Sequence, residues 1–339
     1  MSKRNSILFL SIALSMLLLF GLELLLGSVN ISPGEVWQAL TSGNDDHAMR
    51  SIVMQFRLPK ALVALLAGAA LGASGLQMQT LFRNPLAGPY VLGISSGASL
   101  GVAIFLLGAP LIGAWNGLEI VRNLGIAGAA WLGAALIFLL IMAVSRRIKD
   151  IMVILILGMM FGSAAGALVE ILQYFSPEGA VKSFVVWTMG SLGGVTVPQL
   201  RIMMPVILIG LLLAILAIKP LNALLLGENY ARTLGVHIGR ARATILISTT
   251  LLAGTVTAFC GPIGFLGLAV PHIARIVFSE ADHRTLMPAS ILLGATLMLA
   301  CDLIAQMPGQ RFTLPINTIT ALVGIPVIVV VIIRNRKIF

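Results

Sequence analysis

Between Arg57 and Gly97 the chain reads Arg57-Leu58-Pro59-Lys60, then twenty-two residues without a charge from Ala61 to Phe82, then Arg83-Asn84-Pro85-Leu86-Ala87-Gly88-Pro89, and then Gly93-Ile94-Ser95-Ser96-Gly97. At 1.5 Å per residue the uncharged run, as a helix, covers the roughly 30 Å of a bilayer's hydrocarbon core. It is a membrane span. Gly68, Gly72 and Gly75 recur on it at helical spacing and leave a face without side chains, where another helix can close to backbone contact. Pro85 then ends the helix, because a proline disfavours helical geometry in the residue before it and offers no N–H. Pro89 follows within the same turn, so the corner is stiff.

The rest of the chain has the same character. Of 339 residues, 58% are hydrophobic and only 10% charged, with a mean hydropathy of +1.03, which is too little charge to clothe a soluble globule. The fold class implied is all-α and polytopic, a single transmembrane domain over residues 1–339 surrounded by membrane lipid. The formal net charge of +10 belongs to basic residues flanking apolar runs, so no nucleic-acid partner is expected. Cys260 and Cys301 lie in apolar surroundings and read as buried thiols, neither a disulfide nor a metal pair.

About ten transmembrane helices can be traced, at 6–26, 61–82, 90–107, 124–144, 151–175, 201–218, 243–260, 266–278, 286–305 and 314–333. The first run is too long for a signal peptide and lacks a small-residue cleavage site, so it is read as a retained span. Residues 28–56 form a polar connection with a short amphipathic helix near Pro33 to Leu40. Gly158, Gly162 and Gly166 give the fifth run a packing stripe, and Pro271-His272 interrupts the eighth. Residues 176–198 are too polar and glycine-rich to span.

With the N-terminus in the cytoplasm, fifteen of the twenty-two Lys and Arg residues fall on the cytoplasmic side, among them Arg83, Arg146, Arg147, Lys149 and Arg334. The outer side receives Arg50, Arg57, Lys60, Arg122, Lys182, Arg201 and Arg311. That bias obeys the positive-inside rule and puts both termini in the cytoplasm. Gly88-Pro89 after the second span and Gly261-Pro262 after the seventh end helices on opposite faces, the pattern of two halves related as an inverted repeat. Gly-Pro dipeptides mark turns anywhere, so the echo is faint.

Ionisable groups inside spans are the default functional candidates, and only Glu23, Glu170 and Asp302 qualify. They sit on three different spans with no local partner, too few for a proton relay. His272 has no second His, Cys or carboxylate at ligand spacing. No phosphate-binding Gly-x-x-x-x-Gly-Lys-Ser/Thr loop, Gly-x-Ser-x-Gly elbow or His-Glu-x-x-His pair occurs, which leaves transport rather than ATP hydrolysis or intramembrane proteolysis. An ion-coupled secondary transporter is the rival class. The scarcity of buried charge speaks against it.

Arg57-Leu58-Pro59-Lys60, Arg83-Asn84-Pro85-Leu86-Ala87, Gly93-Ile94-Ser95-Ser96-Gly97-Ala98, Trp187-Thr188-Met189-Gly190, the run from Gly264 to Arg275 through Pro271-His272, and Gly324-Ile325-Pro326 together resemble the FecCD family, in order and over essentially the whole chain. These are permease subunits of ABC importers for iron-siderophores, haem and vitamin B12. The resemblance implies a ten-helix subunit that dimerises around a central path, most simply as a homodimer. It further implies two cytoplasmic ATP-binding subunits that carry ATP and Mg, and a soluble substrate-binding protein that delivers the ligand. The chain itself would hold no cofactor or metal and be no enzyme. Iron-siderophore is the first expectation for the ligand, with haem or cobalamin as alternatives.

The resemblance also assigns residues. A coupling segment at 219–242 would dock into the ATPase, with Leu224, Leu226, Gly227, Glu228, Ala231, Leu234 and Gly235 in it. Within it Leu224, Leu225, Ala231 and Leu234 offer apolar anchors, and Glu228 and Arg232, four apart, can pair on a helix face. Arg57, Lys60 and Arg311 would meet acidic residues of the binding protein. The family's B12 member has arginines where Lys60 and Gln306 stand, and Thr313 replaces the usual glutamate before Leu-Pro, departures that bear on that docking. The path would follow the fifth span, with Gly158 and Gly162, and its inner gate would lie at Asp150, Ile151 and Met152.

Overall fold

The computed structural model describes residues 3–27, 31–41, 47–108, 119–145, 148, 150–307 and 312–334. Its helices, in chain order, are α1 (Lys3–Leu25), α2 (Pro33–Thr41), α3 (His47–Ser51), α4 (Leu58–Leu81), α5 (Ile94–Ala103), α6 (Glu119–Ser145), α7 (Ile151–Phe175) and α8 (Glu178–Thr188). Then follow α9 (Val197–Leu216), α10 (Ile218–Leu225), α11 (Glu228–Thr233), α12 (Ile238–Thr249), α13 (Thr255–Cys260), α14 (Leu266–Phe278), α15 (His283–Gln306) and α16 (Ile316–Arg334). Single π-turns at Ile52–Arg57, Ile104–Gly108 and Thr250–Gly254 join α3 to α4, extend α5, and join α12 to α13. No strand occurs among the described residues.

Seven of these helical segments are long and apolar enough to cross a membrane. Three shorter apolar ones, Ile94–Gly108, Leu266–Phe278 and Ile316–Val331, stand where the sequence places its third, eighth and tenth runs. By length and composition the described residues therefore give seven spans, and the sequence-based count of ten includes these short ones. The second span also starts earlier than Ala61, because the π-turn carries helical structure from Ala48 to Leu81 without a break. Leu58 donates its N–H to the Val53 carbonyl, which closes the wider turn.

The helices divide between two compact units, residues 1–76, 191–205 and 264–339 in one and 77–190 and 206–263 in the other. In the first, α4 packs on α14 and α15 through its glycines. A Cβ at Gly68 would strike the Gly294 carbonyl, one at Gly72 the Ser290 carbonyl, and one at Gly75 the Gly267 carbonyl. Gly267 is four residues before Pro271, which has no N–H to offer it, so α14 runs through Pro271 unbroken with one carbonyl freed. The bare backbone at Gly75 approaches that carbonyl. The expected interruption at Pro271-His272 is thus absent, and His272 is a buried residue of a continuous helix. Ser32 and Glu35 form a reciprocal capping box ahead of α2, Glu35 Oε2 accepting from the Ser32 N–H at 2.7 Å and Ser32 Oγ from the Glu35 N–H at 3.3 Å. That cap fixes the amphipathic helix read at Pro33, whose Val36 and Ala39 pack beside Leu24, Ile31, Val53 and Ala61.

In the second unit α5 packs against α6 and α7, again by glycine. Cβ atoms at Gly97 and Gly101 would meet the Gly133 and Ala129 carbonyls of α6, and one at Gly158 would come within 2.9 Å of Leu92 Cα. A buried polar set, unusual in an apolar setting, joins three more segments. The Gln77 amide donates to Ser248 Oγ at 3.1 Å, Thr249 Oγ1 donates to Gln77 Oε1 at 3.1 Å, and Ser248 Oγ donates to the Gly210 carbonyl at 2.8 Å.

Candidate functional site

In the second unit, α10 presents Leu221, Ala223 and Leu224 inward and ends at Gly227, whose φ of +100° reverses the chain into α11 as only glycine does without strain. Ala231 is the buried residue of α11. At the other end the Val236 N–H bonds the Ala231 carbonyl and the Gly235 N–H the Arg232 carbonyl, a Schellman cap with Gly235 at φ +80°. The inward anchors hold a ridge outward: Leu226, Tyr230 and Leu234, at four-residue intervals, are 62%, 53% and 57% exposed. Leu225 and Leu234, read from the sequence as anchors beside Leu224 and Ala231, belong to this exposed side.

Glu228 does not pair with Arg232. It forms an ion pair with Arg242 of α12. Arg242 is the buried partner, and a buried cation needs a counter-charge far more than exposed Arg232 does, so it wins Glu228 over the neighbour one turn away.

Beneath this segment lies a cleft of about 750 Å³ lined by Leu81, Arg83, Asp150, Ile151, Tyr230 and Arg242, with Leu224, Leu226, Gly227 and Glu228 on its wall. It brings together two groups that the sequence kept apart, residues of the expected coupling segment and residues of the expected inner gate. Asp150 is the N-cap of α7, its Oδ1 accepting from the Met152 N–H at 2.8 Å. Arg83 closes α4 in another Schellman cap, Asn84 N–H to the Gln79 carbonyl and Arg83 N–H to the Thr80 carbonyl, with φ of +49° at the position that usually holds glycine. Its guanidinium stands 3.6 Å from where a Cβ on Gly227 would lie. Sequence reasoning missed Arg83, Tyr230 and Arg242 as partners of this cleft. A charged residue in place of a helix-ending glycine was the available signal.

Gly158 and Gly162, expected on a path, face α5 within this unit, Gly162 lying 3.2 Å from Ser96 Oγ by its Cβ direction. The open side of α7 is carried instead by Met152, Ile156, Met159 and Met160. Glu170 is exposed on the same helix.

In the first unit, Arg57 is buried rather than outward-facing, and its Nη1 donates to the Leu24 and Leu25 carbonyls at 2.8 Å each. A guanidinium on the last carbonyls of α1 satisfies acceptors that the helix cannot. Lys60 Nζ is 3.1 Å from Asp302 Oδ2, and the Gln306 amide donates to Glu23. Glu23 and Asp302, without a partner near them in sequence, thus find structural partners on other helices. The three spans concerned end or begin on one face under alternating topology, and that shared depth was readable. Arg311 lies outside the described residues, and Thr313 is exposed.

A sequence model described as the FecCD transport family matches residues 14–334. The chain belongs to that family. Two FecCD relatives, both called vitamin B12 import system permease protein BtuC, come from Klebsiella pneumoniae and Citrobacter koseri. The first is 38% identical over 323 residues, 94% of each chain, and the second 35% over 336 residues, 99% of this chain and 96% of its own. A chain of a metal-chelate type ABC transporter in an inward-facing conformation superimposes with a TM-score of 0.83 at 28% identity, covering 96% of this chain and 99% of that one. A chain of PsaBC from Streptococcus pneumoniae shares the fold at a TM-score of 0.55 and 18% identity. The FecCD protein is thus a multi-pass membrane permease of the ABC importer class, resting on all-α architecture throughout its described residues.

Proposed function

We propose that this chain is the permease subunit of an ATP-driven importer carrying a large metal chelate across the cytoplasmic membrane. It works with a second permease subunit, an ATP-binding subunit that holds ATP and Mg, and a soluble substrate-binding protein. The observation that carries the reading is the family match over residues 14–334. The exposed Leu226, Tyr230 and Leu234 ridge, held over a polar cleft by Leu224 and Ala231, supports assigning the segment 219–242 to the ATPase contact, on the cytoplasmic side with both termini.

For the chelate, the names of the relatives favour a corrinoid of the vitamin B12 type. An iron-siderophore is the other reading, because this chain departs from the B12 member of the family at two of the basic contacts expected for the binding protein, with Lys60 and Gln306 where that member has arginines. Reconstitution of the chain with its ATP-binding subunit and binding protein decides both points. ATP hydrolysis is expected to rise when the binding protein is loaded with the cognate chelate, cobalamin or ferric siderophore being tried separately. No rise with any metal chelate contradicts the proposal.

A further inference from the structure

In the first unit, Ala48–Leu81 is 34 residues of continuous helix, about 50 Å at 1.5 Å per residue against a hydrocarbon core of about 30 Å, a difference that ordinary tilt does not absorb. One end must project. The charge-free run begins at Ala61, about 30 Å of helix from Leu81, so the projecting part is the segment before it, which includes the π-turn Ile52–Arg57. Ala61 is buried in one apolar cluster with Leu24 from the last turn of α1 and with Val36 and Ala39 of α2. A helix that touches the ends of two spans at once lies at the depth where hydrocarbon gives way to headgroups.

Turning about 100° per residue, α2 sorts its side chains into three sectors. Val36 and Ala39 form the buried one. Pro33, Trp37 and Leu40 lie on one flank of it, and Glu35, Gln38 and Thr41 take the remaining side, all six exposed. The apolar arc is therefore wider than the cluster covers. Trp37 is 68% and Leu40 42% exposed, and the π-turn packed beside α2 adds Phe56 at 65%. The arc carries no charge with which a soluble partner could pair, and it continues an apolar surface, since α1 exposes Leu14, Leu17 and Leu18 in the turns that lead up to α2. An indole, apolar in its ring and polar at its N–H, suits the boundary between acyl chains and headgroups. We propose that α2 lies in the headgroup layer of the bilayer as an interfacial helix, with Trp37 and Leu40 in contact with lipid and Glu35 and Gln38 in water.

The test is spin-label accessibility on the full chain in nanodiscs of phosphatidylethanolamine and phosphatidylglycerol. Labels are attached singly through Trp37→Cys, Gln38→Cys and Leu40→Cys, and the chain without an introduced cysteine gives the background, its Cys260 and Cys301 being buried. Collisions are measured with lipid-soluble oxygen and with a water-soluble nickel chelate. For the labels replacing Trp37 and Leu40, oxygen collisions are expected to exceed nickel collisions. For the label replacing Gln38, one residue along, the order is expected to reverse. Nickel dominating at all three sites overturns the proposal and leaves α2 in water, open to a soluble partner. Few collisions with either reagent at Trp37 and Leu40 overturn it as well, the arc then being covered by protein such as a second copy of the chain. Should Trp37→Cys not fold, the contrast between the labels at Leu40 and Gln38 decides.

Discussion

Arg83 shows how a single residue can be held against its own preference. A left-handed φ at a non-glycine position costs about 1–2 kcal/mol, and such strain persists where the surroundings impose it. Arg83→Gly is expected to raise the melting midpoint by the equivalent of about 1 kcal/mol while lowering chelate-stimulated ATP hydrolysis, because the guanidinium leaves the cleft beside Gly227. Loss of stability without loss of coupling contradicts this account of Arg83. Gly75 is the opposite case, a residue whose lack of a side chain is used outright. Gly75→Leu puts atoms where the Gly267 carbonyl lies and is expected to cost about 3 kcal/mol or more, measured as loss of folded protein in detergent. The stripe of Gly68, Gly72 and Gly75 was legible from spacing alone. Its partner was not, since nothing in one sequence says that Pro271 frees the carbonyl on which Gly75 rests.

At the scale of elements, α10 and α11 separate holding from presenting. Leu221, Leu224 and Ala231 anchor, and Leu226, Tyr230 and Leu234 face out. The apolar pattern marked the segment but not its two sides: of the anchors read for docking, Leu225 and Leu234 face out while Leu224 and Ala231 are buried, because helices of eight and six residues are too short for periodicity to fix a face. Pairing was misread for a related reason: Glu228 and Arg232 are neighbours by sequence, whereas burial of Arg242, a tertiary property, decides where the carboxylate goes. Replacing Leu226, Tyr230 and Leu234 together by Ser is expected to leave folding intact and abolish co-purification with the ATP-binding subunit. A double-mutant cycle with Glu228→Gln and Arg242→Met is expected to give a coupling energy of about 1–3 kcal/mol in thermal stability. Additive effects would place the ion pair outside the fold's needs.

Across the whole molecule, the sequence revealed class and order, because an apolar run long enough to cross a bilayer has few alternatives. It was less able to measure elements. The second helix starts at Ala48 rather than Ala61, the third run begins as a helix only at Ile94 after the left-handed Gly93, and Leu266–Phe278, at thirteen residues, is too short for a full crossing. The site is distributed in the same way. Residues from the start of α7, the end of α4 and the α10–α11 segment converge on one cleft, a convergence set by tertiary packing and invisible along the chain.

The claim on which everything rests is that the helices supply a passage while a separate nucleotide-hydrolysing subunit supplies the energy. Uptake of the cognate chelate into proteoliposomes tests this most directly, comparing vesicles that contain the chain with its ATP-binding subunit against vesicles that contain the chain alone under an imposed proton or sodium gradient. Accumulation is expected only with the ATP-binding subunit and ATP, unaffected by collapsing the gradient. Gradient-driven accumulation by the chain alone contradicts the account.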